Sequence, residues 1–296
     1  MNPGADYCKP SYAAELTWRV NRTLAICICM FVLVMAGGSL QQAIAGAGDR
    51  TLAMNLGEWN DTIALTTLGG RLYTIEKSGA LYRTDLTNGR WAQLGKAEFA
   101  NTAFLFADNQ SLYTIEYDGS LYRVSPLNGA WNRVGLAGDW KDTITLATLN
   151  NNLYSVERSG ALYRTDLTSG RWVQLGKPDF ANTEFMFADG QSLYTIEADG
   201  SLYRVNPVNG TWSGVGGAGE WKETRVGATL NGRIYTVERG GALYETNPAT
   251  GAWTQIGKPD FAKTQFIFGA GGSLYSIEDG DLYRINPVSG GWVRIG

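Results

Sequence analysis

Six short segments place an acid, an aromatic ring, any residue, a polar residue and Thr in succession: GEWNDT at 57–62, GDWKDT at 138–143 and GEWKET at 219–224, with AEFANT, PDFANT and PDFAKT halfway between them. Their rings, Trp59, Trp140 and Trp221 in one set and Phe99, Phe180 and Phe261 in the other, recur every 81 residues. An aromatic face beside carboxylates and amides suits a saccharide, whose apolar C–H patches stack on the ring while hydroxyls find polar partners. Asp61, Asp142, Glu223, Asn101 and Asn182 would supply those partners. The same residues allow a structural reading, in which the rings wedge between structural units and the acids cap turn N–H groups.

Catalysis has little to draw on. The sequence has no His, and its three Cys, Cys8, Cys27 and Cys29, all lie in the first 29 of 296 residues. Ser-His and Cys-His nucleophilic chemistry is thereby excluded, and the commonest metal ligand is missing. The expectation is a non-enzyme with no cofactor and no bound metal. A net charge of −3, with no basic stripe interleaved with aromatics, argues against nucleic acid as a partner.

The elements that must hold these segments are repeats. Leu/Ile-Tyr-x-x-Glu returns at Tyr73, Tyr113, Tyr154, Tyr194, Tyr235 and Tyr275, and a closing Trp at Trp91, Trp131, Trp172, Trp212, Trp253 and Trp292. A period near 40 with strands inside each unit signals a β-propeller or similar array. Within one unit TITLATL, NLYSVE, ALYRTD and RWVQLG read as four strands, separated by Gly turns such as RSGA and by Pro-Gly turns such as NPVNGTW. The fold class expected is all-β: a six-bladed propeller of four antiparallel strands per blade over residues 62–296. Its repeats fall near 62–101, 102–142, 143–182, 183–223, 224–263 and 264–296. No closing blade is shared, although TLAMNLG (51–57) could add a strand at the seam.

Residues 48–61 lead into this array, and residues 1–47 differ in kind. Lys9, Arg19 and Arg22 precede the apolar run LAICICMFVLVMA and a small-residue exit, which is the order of a secretory signal peptide; an uncleaved membrane anchor is the alternative. LAIC at 24–27 imitates a lipoprotein box but opens the apolar run instead of following it. The protein is therefore expected to be secreted or extracytoplasmic, with membrane contact only through this segment.

Other repeated residues read as structural. Glu76, Glu116, Glu157, Glu197, Glu238 and Glu278, and the Arg after Leu-Tyr at Arg83, Arg123, Arg164, Arg204 and Arg284, are expected to form ion pairs or accept hydrogen bonds, and the closing Trp rings to fill the core. Glu184, Arg225 and Gln265 hold one repeat position on the first strand, forming an axial polar site or an ion pair at the channel mouth.

WNRVGLAGDWKDTITLATLNNNLYSVE (131–157) and FMFADGQSLYTIEADGSLYR (185–204) resemble the repeat of tachylectin-type β-propeller lectins, and the likeness covers nearly all of residues 51–296. The resemblance implies a non-enzymatic multivalent lectin that binds N-acetylated amino sugars between blades, with its Gly-Trp loop falling on Trp59, Trp140 and Trp221. This chain departs from that pattern in having six repeats instead of five, a shorter repeat, and Phe in alternate loops. Glycans are the expected partners, bound through the inter-blade loops. A scaffold for extracytoplasmic protein–protein interaction is the alternative.

Overall fold

The computed structural model describes residues 58–296, so the proposed signal peptide or anchor and the segment 51–57 lie outside the described residues. The described chain forms 24 strands in six sheets of four, each sheet taken in sequence order and wholly antiparallel. In the first blade these are β1 (Thr62–Leu68), β2 (Arg71–Glu76), β3 (Leu81–Asp85) and β4 (Trp91–Leu94). The first strands of the other blades are β5 (Thr102–Ala107), β9 (Thr143–Leu149), β13 (Thr183–Asp189), β17 (Thr224–Leu230) and β21 (Thr264–Ala270). Each of these meets its counterparts in the neighbouring blades, and β1 meets β21, so the sheets close into a ring. Among the described residues no closing blade is shared.

A four-stranded blade has two apolar faces, and only its neighbours can cover them. Accordingly there are six hydrophobic clusters, one at each blade–blade interface, and each contains one of the six loop aromatics. These rings are between 2% and 4% exposed. The expectation that they form open stacking platforms is overturned: they are the wedges of the structural reading. The ring loses its water, and the N–H of the same residue is satisfied by the turn of the preceding blade. Phe99 donates to Gly79 O at 3.0 Å, Trp140 to Gly119 O at 3.1 Å, Phe180 to Gly160 O at 3.0 Å, Trp221 to Gly200 O at 3.0 Å and Phe261 to Gly241 O at 3.0 Å. The sixth bond closes the ring, Trp59 N–H to Gly280 O at 3.0 Å.

Trp and Phe wedges serve interfaces of different width. Where Phe is the wedge, the facing inner strands carry small or aliphatic residues in place of rings: Ala64, Leu105 and Ala107 in one interface, Ala147, Met186 and Ala188 in the next equivalent one. Those inner strands approach closely. Where Trp is the wedge the inner strands carry Phe104 and Phe106, Phe185 and Phe187, or Phe266 and Phe268, and the strands stand further apart. The larger ring fills the wider gap, and the fold is a threefold array of paired blades.

The loop wedge requires backbone to come close to backbone. Gly200 has φ +84°, and a Cβ there would lie 2.4 Å from the Lys222 backbone nitrogen, so only glycine lets this turn reach the loop that carries Trp221. Replacing Trp140 by Ala removes a whole buried indole from one interface. The expected cost is about 3–5 kcal/mol of stability, measurable by chemical denaturation, whereas a loop ring serving only as a ligand platform would be removed at little cost.

Candidate functional site

The side chains that flank the wedges remain at the surface. Asp61, Asp142, Glu223, Asn101 and Asn182 are all exposed, on the ring face that also bears the turns between second and third strands. Their carbonyls are held by the following turn: Lys77 N–H donates to Asp61 O (2.8 Å), Tyr117 to Asn101 O (2.9 Å), Arg158 to Asp142 O (2.9 Å), Ala198 to Asn182 O (2.8 Å) and Arg239 to Glu223 O (3.0 Å). The chain thus brings this polar set beside that turn, while Trp59, Trp140, Trp221, Phe99, Phe180 and Phe261 are buried in the interfaces.

A different ring stands beside it. The closing Trp residues, expected in the core, are instead 37% to 52% exposed. They begin the outermost strand of each blade, an edge with a neighbour on one side only, where just the last residue (Leu94, Val134, Leu175, Ile256) is buried. Each indole packs edge-to-face against the part-buried Tyr of the third strand, Tyr82, Tyr122, Tyr163, Tyr203, Tyr244 or Tyr283, with centroids 4.7 to 5.3 Å apart and planes crossed at 67° to 89°. In four blades the indole N–H donates to the acid that precedes the wedge: Trp91 to Glu58 (2.7 Å), Trp131 to Glu98 (2.9 Å), Trp172 to Asp139 (3.4 Å) and Trp212 to Asp179 (3.2 Å). In the fifth, Glu220 instead accepts from Gly217 N–H at 2.8 Å. The place of each Trp at the start of a short outermost strand, an edge with one neighbour, was the signal in the sequence that these rings are surface groups.

The repeated Glu completes the niche. Glu116, Glu197 and Glu278 accept from Thr102, Thr183 and Thr264 hydroxyls at 2.9, 2.8 and 2.7 Å. The expected role as hydrogen-bond acceptor is therefore met in the even blades, whereas the blade Arg goes elsewhere, Arg123 Nε to Tyr113 OH at 3.1 Å and Arg204 Nε to Ser192 Oγ at 2.9 Å. Burial pushes the carboxyls of Glu76, Glu116, Glu157, Glu197 and Glu238 above the ordinary glutamate range. For Glu197 the Thr183 and Thr195 hydroxyls oppose this, while the charges of Asp199 and Glu184 add to it.

In the fourth blade Asp179, Phe180, Asn182, Glu197, Ala198, Asp199, Tyr203 and Trp212 line an open concavity of about 390 Å³, a size usual for small-ligand sites. Trp212 also borders a second hollow of about 440 Å³ on its other side, lined by Arg204 and the Pro207–Val208 turn. The expected ion pair at the channel mouth is not seen among the described residues. Arg225 donates to the Ala262 carbonyl, and Glu184 is exposed. Among the described residues no cluster of metal-ligating side chains is present, and no helix is long and apolar enough to cross a membrane.

No protein-family model and no curated protein matches the chain. Solved structures match it in fold. The computationally designed protein Ika8 is 14% identical with a TM-score of 0.52, over 79% of this chain and 74% of that one. PorZ of Porphyromonas gingivalis, a surface component of the type-IX secretion system, is 12% identical with a TM-score of 0.50, over 79% of this chain and 38% of PorZ. BamB from Moraxella catarrhalis is 17% identical with a TM-score of 0.45, over 74% of this chain and 67% of BamB. At these identities the likeness to Ika8 and PorZ is one of fold alone.

A carboxyl whose pKa is raised on folding binds more protons folded than unfolded, so its contribution to stability is present below the ordinary glutamate value and is lost as pH climbs through the raised one. Five such groups predict a melting temperature that falls as pH rises above about 4.3. Glu116→Gln combined with Glu197→Gln should flatten that slope, and a melting temperature that rises across the same interval contradicts the assignment.

Proposed function

We propose that this protein is an extracytoplasmic, non-enzymatic binding propeller that reads carbohydrate through niches repeated around one face. The observation that carries the proposal is the exposed closing Trp, set edge-to-face on a Tyr in every blade and bonded through its indole N–H to a carboxylate in four of them. An isolated exposed indole is ordinary; six in one geometry, four of them bonded to an acid, provide the stacking wall and hydroxyl acceptors that a sugar ring needs. In this reading Asp61, Asp142, Glu223, Asn101 and Asn182 would supply polar partners at the niche mouths, and the aromatic partner is the closing Trp and not the loop ring. Several weak sites on one rigid ring raise avidity toward a polyvalent glycan. The resemblance to tachylectin-type repeats points the same way, toward binding without turnover. The leading segment 1–47 would take the chain out of the cytoplasm and would be its only membrane contact.

A second reading has its own observation. The Pro turns of the even blades, on the opposite end of the strands, present Leu127, Val208 and Val288 at 78%, 71% and 85% exposure, a threefold set of apolar tips suited to a protein partner.

The two separate on a glycan array probed with the chain from residue 49 onward. Carbohydrate binding with several sites per chain is expected, and Trp212→Ala with Trp131→Ala should weaken it at least tenfold while leaving the melting temperature within a few degrees. Binding that survives removal of all six closing Trp rings would refute the niche as the site.

A further inference from the structure

The niches are not chemically equal, and their differences name a ligand class. This inference rests on the carbohydrate reading above. In the first and fifth blades an ion pair spans the niche mouth, Lys77 to Asp61 at 3.0 Å and Arg239 to Glu223 at 3.8 Å, and in the sixth Lys263 reaches Asp279 at 2.6 Å. In the third, Arg158 holds the position of Lys77. Four niches therefore contain a basic side chain of the protein's own at the mouth.

The fourth blade has lost both members of that pair, with Asn182 in place of Asp61 and Ala198 in place of Lys77, and it has gained Asp199 where the odd blades carry Ser78, Ser159 or Gly240. The result is the 390 Å³ concavity, lined by three carboxylates (Asp179, Glu197 and Asp199) and by no Lys or Arg. Asp199 is partly committed, its Oδ1 accepting Ser201 N–H at 2.8 Å, and Asp179 accepts the Trp212 indole N–H at 3.2 Å. Each retains a second oxygen, and the wall behind them is the Tyr203–Trp212 pair, 4.7 Å between centroids. Uncompensated carboxylates before an aromatic face are the surroundings that a cation stabilises, through charge-assisted hydrogen bonds to the acids and through the ring quadrupole. A neutral sugar would leave the three acids repelling one another; a sugar that carries an ammonium would relieve them.

We propose that the niche of the fourth blade binds a protonated amino sugar, that is, a saccharide with a free amine in place of its N-acetyl group, the ring stacking on Trp212 and the ammonium directed at Asp199, Asp179 and Glu197. The second blade, with Asn101, Tyr117 and Asp118 at the corresponding positions, shares the absence of a basic side chain and offers the related but narrower site.

The test is calorimetric titration of the chain from residue 49 onward with a glucosamine tetramer, its fully N-acetylated counterpart and tetralysine, at low salt. The glucosamine tetramer should bind at least tenfold tighter than either. Ala198→Lys, which restores the basic residue found at this position in odd blades, should weaken it about tenfold, as should Asp199→Asn. Lys77→Ala, which leaves Glu58, Asp61 and Glu76 without their cation, should add a binding site and raise the stoichiometry. N-acetylated tetramer binding as well as or better than glucosamine would overturn the amine assignment while leaving carbohydrate binding intact. Tetralysine binding as tightly would overturn the saccharide part, and binding of neither sugar would overturn both. An Ala198→Lys protein that keeps full affinity would place the ammonium elsewhere and defeat the proposal.

Discussion

The ring depends on the way each blade is locked to the next: one aromatic side chain driven into the interface, with the N–H of the same residue bonded to a glycine carbonyl in the preceding blade. Burying a large ring supplies the apolar contact that a four-stranded sheet cannot provide for itself, and the hydrogen bond removes the penalty of taking a loop amide out of water. The lock is the same at all six interfaces, so among the described residues the last blade joins the first as any other pair is joined. The seam between the last and first blades is Trp59, seated against Gly280, Gly296 and the cluster that contains Ile277 and Ile295.

The alternation of Phe and Trp follows from the same constraint. Inner strands bearing Ala and Leu pack closely and leave room for a phenyl wedge; inner strands bearing two Phe residues stand apart and leave room for an indole. Six blades thereby become three pairs, and the surface inherits that periodicity. The mouth residues of odd and even niches differ, so the ring has two surface chemistries on one backbone. A scaffold that is repetitive where it packs can vary where it meets solvent, because an exposed side chain at a fixed turn changes little in the interface beneath it.

The separation between packing and recognition runs through each loop. The acid before the wedge and the polar residue two positions after it lie at the surface, whereas the ring between them is buried. The carboxylates are held near an aromatic wall that belongs to the outermost strand of the same blade, some 33 residues further along the chain for the first four blades. The conjunction of acid and ring is thus real, but the ring that faces solvent is not the one adjacent in sequence.

Periodicity determined the architecture. The recurrence of Leu/Ile-Tyr-x-x-Glu and of the closing Trp, with Gly and Pro marking the turns, was enough to read six blades of four strands, because hydrophobic period and turn chemistry are local properties. What only the tertiary structure decided was which aromatic is covered. Trp140 and Trp172 are the same residue type in comparably polar surroundings, yet the first lies in a loop that another blade closes over and the second on an edge that nothing covers. Exposure is set by what the rest of the ring brings alongside, and a single segment does not contain that information.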